Sequence, residues 1–179
     1  MDGTEMTRRI APHVVTTGYD DDGKAVFITD QTFKDGTFGD ISGAVWLWET
    51  PTAPVIPGDV GSFPADANFP SAGRIKFGKA WLAPASEGEL SFATGAVAES
   101  DDFNAGTDPR FHATDTLDFA VILQGEVELQ LQPGGPVKTL RPGSCFVLTG
   151  VPHYWRVTGD EPLVFNMFLV GANRHGREE

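Results

Sequence analysis

The chain has 179 residues, enough for one domain with a real hydrophobic core. Its 25 acidic and 13 basic residues give a formal charge of −12, which excludes extended contact with nucleic-acid phosphates and disfavours an anionic membrane surface. A small molecule is the expected partner, and a negatively charged one would need local help from Arg74, Lys76, Lys79, Arg110 or Arg156. The single cysteine, Cys145, rules out an intrachain disulfide, and its apolar run Cys145-Phe146-Val147-Leu148 predicts a buried small hydrophobe. No segment reaches the roughly 18 apolar residues of a membrane span. The first residues lack the apolar stretch of a secretory signal, so the cytoplasm is the expected compartment.

Glycine (21) and proline (13) punctuate short runs throughout, the pattern of strands joined by tight turns. In chain order, strands are predicted at 13–17, 25–29, 44–49, 74–83, 89–97, 118–123, 126–132, 137–140, 145–148, 154–157 and 163–170. Asp20-Asp21-Asp22-Gly23-Lys24 looks like part of a calcium loop but lacks the remaining ligand spacing, so it reads as the hairpin turn between the first two strands. Residues 50–70 form a long surface excursion that would suit a lid, and 98–107 a second, acidic loop. The segment 126–132 alternates strictly, with Val127, Leu129 and Leu131 inward and Glu126, Glu128, Gln130 and Gln132 toward water. Pro133-Gly134-Gly135-Pro136 and Arg141-Pro142-Gly143 are turns. The prediction is one all-β domain over 1–179, with its core at about 11–172, frayed tails and His175 in the last of them.

Two segments carry the chemistry. The first runs Phe111-His112-Ala113-Thr114-Asp115-Thr116-Leu117-Asp118 and leads through an apolar strand to Gly125. The second runs from Gly143 through Gly150 and Pro152 to His153. Together they resemble the two motifs of the cupin superfamily. Gly106, His112, Asp118 and Gly125 fall at the first motif's spacing, with Thr114 where a second histidine is expected and Asp118 where a glutamate is expected. In the second motif Gly143, Gly150 and His153 match, while Leu148 replaces a proline and Val157 an asparagine.

The resemblance implies a jelly-roll β-barrel (a double-stranded β-helix) and a homodimer that packs or exchanges N-terminal strands. It also implies a divalent metal ion (Zn, Fe, Mn or Ni) held by His112, Asp118 and His153. Two histidines and one carboxylate make a facial triad with open positions; Asp115 is a reserve ligand. Asp118 could instead act as an acid or base, its pKa raised by an apolar barrel. Tyr154, Trp155, Phe119, Val121, Phe146, Phe165 and Met167 are candidate pocket walls, with Trp46, Trp48 and Trp81 on the far side. Arg156 is a candidate catalytic residue that would clamp a carboxylate or enolate. The expected function is a metal-dependent lyase that decarboxylates or dehydrates a small organic or aromatic acid. An Fe(II) dioxygenase and a non-enzymatic binding cupin stay open beside it.

Overall fold

The computed structural model of the chain describes residues 13–32, 37–38, 42–50, 61–62, 64, 68–88 and 108–173. Regular structure among them is entirely β, in the order β1 (His13–Tyr19), β2 (Ala25–Thr32), β3 (Thr37–Phe38), β4 (Ser42–Thr50), β5 (Ile75–Leu82), β6 (Thr116–Gln124), β7 (Val127–Leu131), β8 (Val137–Leu140), β9 (Cys145–Thr149), β10 (His153–Val157) and β11 (Leu163–Gly171). The predicted strand 89–97, the loop 98–107, Gly106, most of the excursion 50–70 and nearly all of both tails lie outside the described residues. The short β3 was not foreseen; two residues give no alternation to read.

All strand pairings are antiparallel. A six-stranded sheet in the order β3-β4-β5-β11-β6-β9 faces a three-stranded sheet, β10-β7-β8, as in a cupin jelly roll. The strands alternate because one face of each sheet is dry. Ala80 and Leu82, Ile122, Leu148, Leu163 and Phe165 from the larger sheet meet Val127, Leu129, Trp155 and Val157 from the smaller one. Ile122, Val127 and Leu163 are almost fully excluded from water, worth about 1.5–3 kcal/mol each. The alternation predicted for 126–132 is the one found.

The chain passes between sheets at tight turns. Gly125 ends β6 with φ of +78°, and a Cβ there would come within 2.5 Å of the Pro162 carbonyl oxygen and 2.9 Å of Leu163 Cα. Both the backbone conformation and the close approach require glycine. The β1–β2 hairpin turns as expected at 20–24: Asp20 Oδ1 accepts from the amides of Asp22 at 3.1 Å and Lys24 at 2.9 Å.

Parity also corrects two expectations. Phe146 and Leu148 of the edge strand β9 face the core, so Cys145 and Val147 face out; Cys145 is exposed, not buried. Phe119 likewise sits on the outer face of β6, in a cross-strand row with Phe77, Phe168 and Val147. All four are exposed. Phe119 therefore lines no internal pocket, and neither does Val121, which shares its parity.

Candidate active site

The site is built where the chain crosses from one sheet to the other. His112 and His153 exchange both backbone hydrogen bonds, His112 N to His153 O at 3.1 Å and His153 N to His112 O at 2.9 Å. Directly opposed residues of an antiparallel pair put their side chains on one face. That register brings the two imidazoles to 4.3 Å between ring centroids. His153 shares its inward parity with Trp155 and Val157, and its ring meets Trp155 edge-on at 5.5 Å.

Four residues after the His112 bridge, at Thr116, the chain joins the larger sheet and starts β6. Thr116 is buried, and its hydroxyl donates to Thr114 Oγ1 at 2.6 Å. Asp118 follows two residues on, with the parity of Ala120 and the core residue Ile122. His112 and Asp118 thus come from facing sheets.

Burial sets the protonation of all three. His153 is 3% exposed, and desolvation depresses its pKa to about 4, partly opposed by its hydrogen bond to the Val151 carbonyl. That bond joins Nδ1 to the carbonyl oxygen at 2.9 Å. A carbonyl accepts only, so Nδ1 carries the proton and Nε2 presents a lone pair. His112 is held well below the usual imidazole range by burial and then by His153. Asp118 moves the other way: burial raises its carboxyl from 3.8 to about 6, partly offset by hydrogen bonding with Thr116. Its Oδ1 is buried without a hydrogen-bond partner among the described residues. At neutral pH the site holds two uncharged imidazoles and one carboxyl poised near its titration point.

The remaining candidates separate. Arg156 lies on the exposed face of β10, opposite Glu128 in register, and donates to Glu128 Oε2 at 3.0 Å. It is turned away from the histidines, because the inward parity of β10 belongs to His153, Trp155 and Val157. Arg110 is held by both carboxylate oxygens of Asp108, at 2.9 and 2.7 Å, and lies 5.0 Å from the centre of the Tyr154 ring. Phe146, Trp155 and Phe165 do form an internal aromatic cluster, with Trp155 and Phe165 stacked at 6.0 Å. A buried charge cluster was missed. Lys76 is 2% exposed, with Nζ 3.5 Å from Glu49 Oε2, and Arg74 Nη2 is 3.3 Å from Glu49 Oε1. The signal was there: Lys76 shares parity with Gly78, Ala80 and Leu82, and Glu49 ends an apolar run.

The cupin resemblance implies a metal at this site. The chemistry of each group suits one, since two neutral imidazoles and a carboxylate oxygen without a partner are ligand types. Their placement does not: among the described residues, no three His, Cys, Asp or Glu side chains gather closely enough to hold an ion. The expected triad of His112, Asp118 and His153 is a histidine pair with a carboxylate on the facing sheet.

The antiparallel sheets and the His112–His153 register fit a cupin-like jelly roll. Residues 102–170, under half of the chain, match the Cupin_2 cupin-domain model. It is 27% identical over 167 residues to the cupin-domain-containing oxidoreductase fogC of Aspergillus ruber, covering 90% of this chain and 71% of that protein. It is 39% identical over 62 residues to the oryzines biosynthesis cluster protein J of Aspergillus oryzae. That match covers 35% of this chain and about a third of the relative's length (34%). Among solved structures, Lactobacillus farciminis oxalate decarboxylase superposes with a TM-score of 0.45 at 14% identity, covering 78% of this chain and 31% of that one. No helix among the described residues is long and apolar enough to cross a membrane.

Proposed function

We propose that the chain is a cupin lyase that decarboxylates or dehydrates a small organic or aromatic acid, with Asp118 as its proton-transfer group. The observation that carries this is Asp118 itself, a buried inward carboxyl with pKa raised to about 6. A group titrating near the working pH is both present in the needed form and willing to transfer its proton. In decarboxylation, the carbon–carbon bond to the carboxylate breaks, carbon dioxide leaves, and Asp118 protonates the carbon that keeps the electron pair. In dehydration, the Asp118 carboxylate takes the proton from the carbon beside the carbonyl and returns it to the hydroxyl that leaves the neighbouring carbon, so that water departs and the carboxylate is restored. His153 Nε2, an acceptor, orients a substrate hydroxyl. The aromatic cluster of Phe146, Trp155 and Phe165 suits a flat apolar body.

Likeness to fogC favours a second reading, an oxidoreductase. It would draw on the histidine pair and a divalent ion, and needs a third donor brought to His112 and His153. One experiment separates the two. Protein purified without chelator is analysed for metals, then incubated with a panel of hydroxybenzoic and 2-hydroxy acids. Mass spectrometry follows loss of carbon dioxide or water, and an electrode follows oxygen. Release that continues in chelator and disappears in Asp118→Asn supports the lyase. Oxygen uptake that scales with bound iron overturns it.

The homodimer implied by the cupin resemblance is proposed on two exposed apolar surfaces. One is the outer row Phe77, Phe168, Phe119 and Val147; the other is the hairpin bearing Val15, Tyr19, Phe27 and Ile28, with Phe27 75% exposed. A two-stranded hairpin is marginal in water without a surface to pack on.

A further inference from the structure

The interior between the two sheets is not filled evenly. Ile122 on β6 and Leu169 on β11 face inward, and each is 1% exposed. Both strands lie inside the six-stranded sheet, so their backbones add almost nothing to accessibility. Ala120 is the inward residue before Ile122, and Met167 the inward residue before Leu169. Both stay part-exposed, as does Asp118. Their accessibility comes from within the barrel.

Register joins these residues into one row. Phe146, Ala120, Met167 and Gly78 pair in turn across β9, β6, β11 and β5. The middle of the row is low. Ala120 contributes only a methyl, and Met167 is a side chain that adjusts its shape. The ends are closed by rings: Phe146 at one, and at the other Trp46, whose Cε3 an added Cβ on Gly78 would meet at 2.7 Å. Packed sheets stand about 10 Å apart, a gap filled by side chains from both. An alanine leaves its half of that gap open.

The surroundings of the opening suit a ring. Trp155 of the facing sheet lies 5.1 Å from Phe146 between ring centroids and stacks on Phe165. Ring faces and a thioether both favour contact with a further aromatic ring. Asp118 is the next inward residue of β6, roughly 7 Å along the strand. Its partners in register are Leu148 and Leu169, both buried. The opening therefore runs from an apolar floor to a carboxyl set between two leucines.

We propose that Ala120 and Met167 floor a slot for the aromatic ring of the substrate, with Ala120 as the residue that admits the ring. This deepens the reading of the site as one for acids and rests on it: the acid is aromatic, and Asp118 stands beside the ring carbon that bears the carboxylate. The test is calorimetric titration of the full chain with benzoate, cyclohexanecarboxylate and acetate, three probes of equal charge. It is run at pH 5, below the Asp118 titration point of about 6. Saturable binding of benzoate is expected, weaker for cyclohexanecarboxylate and weakest for acetate. Ala120→Leu should weaken benzoate at least about tenfold, because it puts a branched side chain where the ring sits. Its Tm should equal or exceed the parent's, since it fills space rather than overpacking it. Ala120→Val, a smaller step, should fall between the two in affinity.

An Ala120→Leu protein that melts below the parent has an interior already filled at this point, which overturns the slot. So does parental benzoate affinity in that variant, or benzoate bound no better than acetate. Benzoate binding that Ala120→Leu abolishes, without turnover of any acid, refutes the lyase reading alone. Turnover of 2-hydroxy acids but of no hydroxybenzoic acid, with no saturable benzoate binding, refutes the slot alone.

Discussion

Replacing Asp118 by asparagine should stabilise the protein, and only above a definite pH. The folded carboxyl titrates at about 6 against an ordinary 3.8 because burial penalises its charge. Between those values the folded state holds a proton that the unfolded chain has lost. Stability therefore falls as pH rises through the window and levels off above about 6. A displacement of about 2 units corresponds to about 3 kcal/mol at neutral pH. Asparagine is neutral at every pH and carries no such penalty. The depressed pKa values of His112 and His153 act oppositely, their stability present above the usual imidazole value and lost as pH falls. That contribution is common to parent and variant and cancels in the difference. Thermal melts of both proteins in chelator, from pH 4 to pH 8, should show matching Tm at pH 4. By pH 7.5 the gap should open to roughly 6–12 °C in favour of Asp118→Asn, at ~2–4 °C per kcal/mol for a chain of this size. A gap independent of pH, or an asparagine variant less stable at pH 8, would refute the desolvated carboxyl on which the proposed chemistry stands.

Gly125→Ala should cost at least ~2 kcal/mol, since it adds a side chain at positive φ and against the Pro162 carbonyl; urea unfolding measures it. The Cys145 thiol lies on the outer face of an edge strand, so a thiol reagent should titrate it in the folded protein at a rate close to that in urea. Equilibrium sedimentation should return a dimer for the parent, and Phe168→Glu should shift it to monomer without loss of β-sheet signal.

Most of the fold was legible because its strands alternate. Glu126–Gln132 reads directly as one wet and one dry face, and Gly125 and Gly143 mark the turns that the motif spacing requires. What alternation does not supply is which parity is inner when both are apolar. In Phe119-Ala120-Val121-Ile122 every residue suits a core, so the pattern alone allows Phe119 and Val121 as pocket walls, whereas the sheet turns Ala120 and Ile122 in. Cys145 failed for the same reason: an apolar run on an edge strand has an exposed half. The histidine pair was legible from motif spacing, but its neutrality comes from tertiary burial. The Glu49–Lys76 contact joins residues distant in sequence through the β4–β5 register, which no local pattern encodes.

The binding of an acid substrate and the raised pKa of Asp118 are not independent. In decarboxylation the reacting carboxylate sits on the carbon that Asp118 protonates, and even at about 10 Å it would repel an ionised Asp118 by roughly 1–2 kcal/mol at an effective dielectric of 20, at least about one pKa unit. Binding an acid therefore drives Asp118 toward the protonated form, the state that delivers a proton rather than the one that abstracts it. That favours decarboxylation over dehydration among the two lyase reactions. For a substrate that reacts, kcat should be high at low pH and fall above an apparent pKa near 7. The fall in kcat/KM should come about one unit lower, where free Asp118 titrates. Profiles in which both parameters rise with pH would identify Asp118 as a base, and with it dehydration as the reaction.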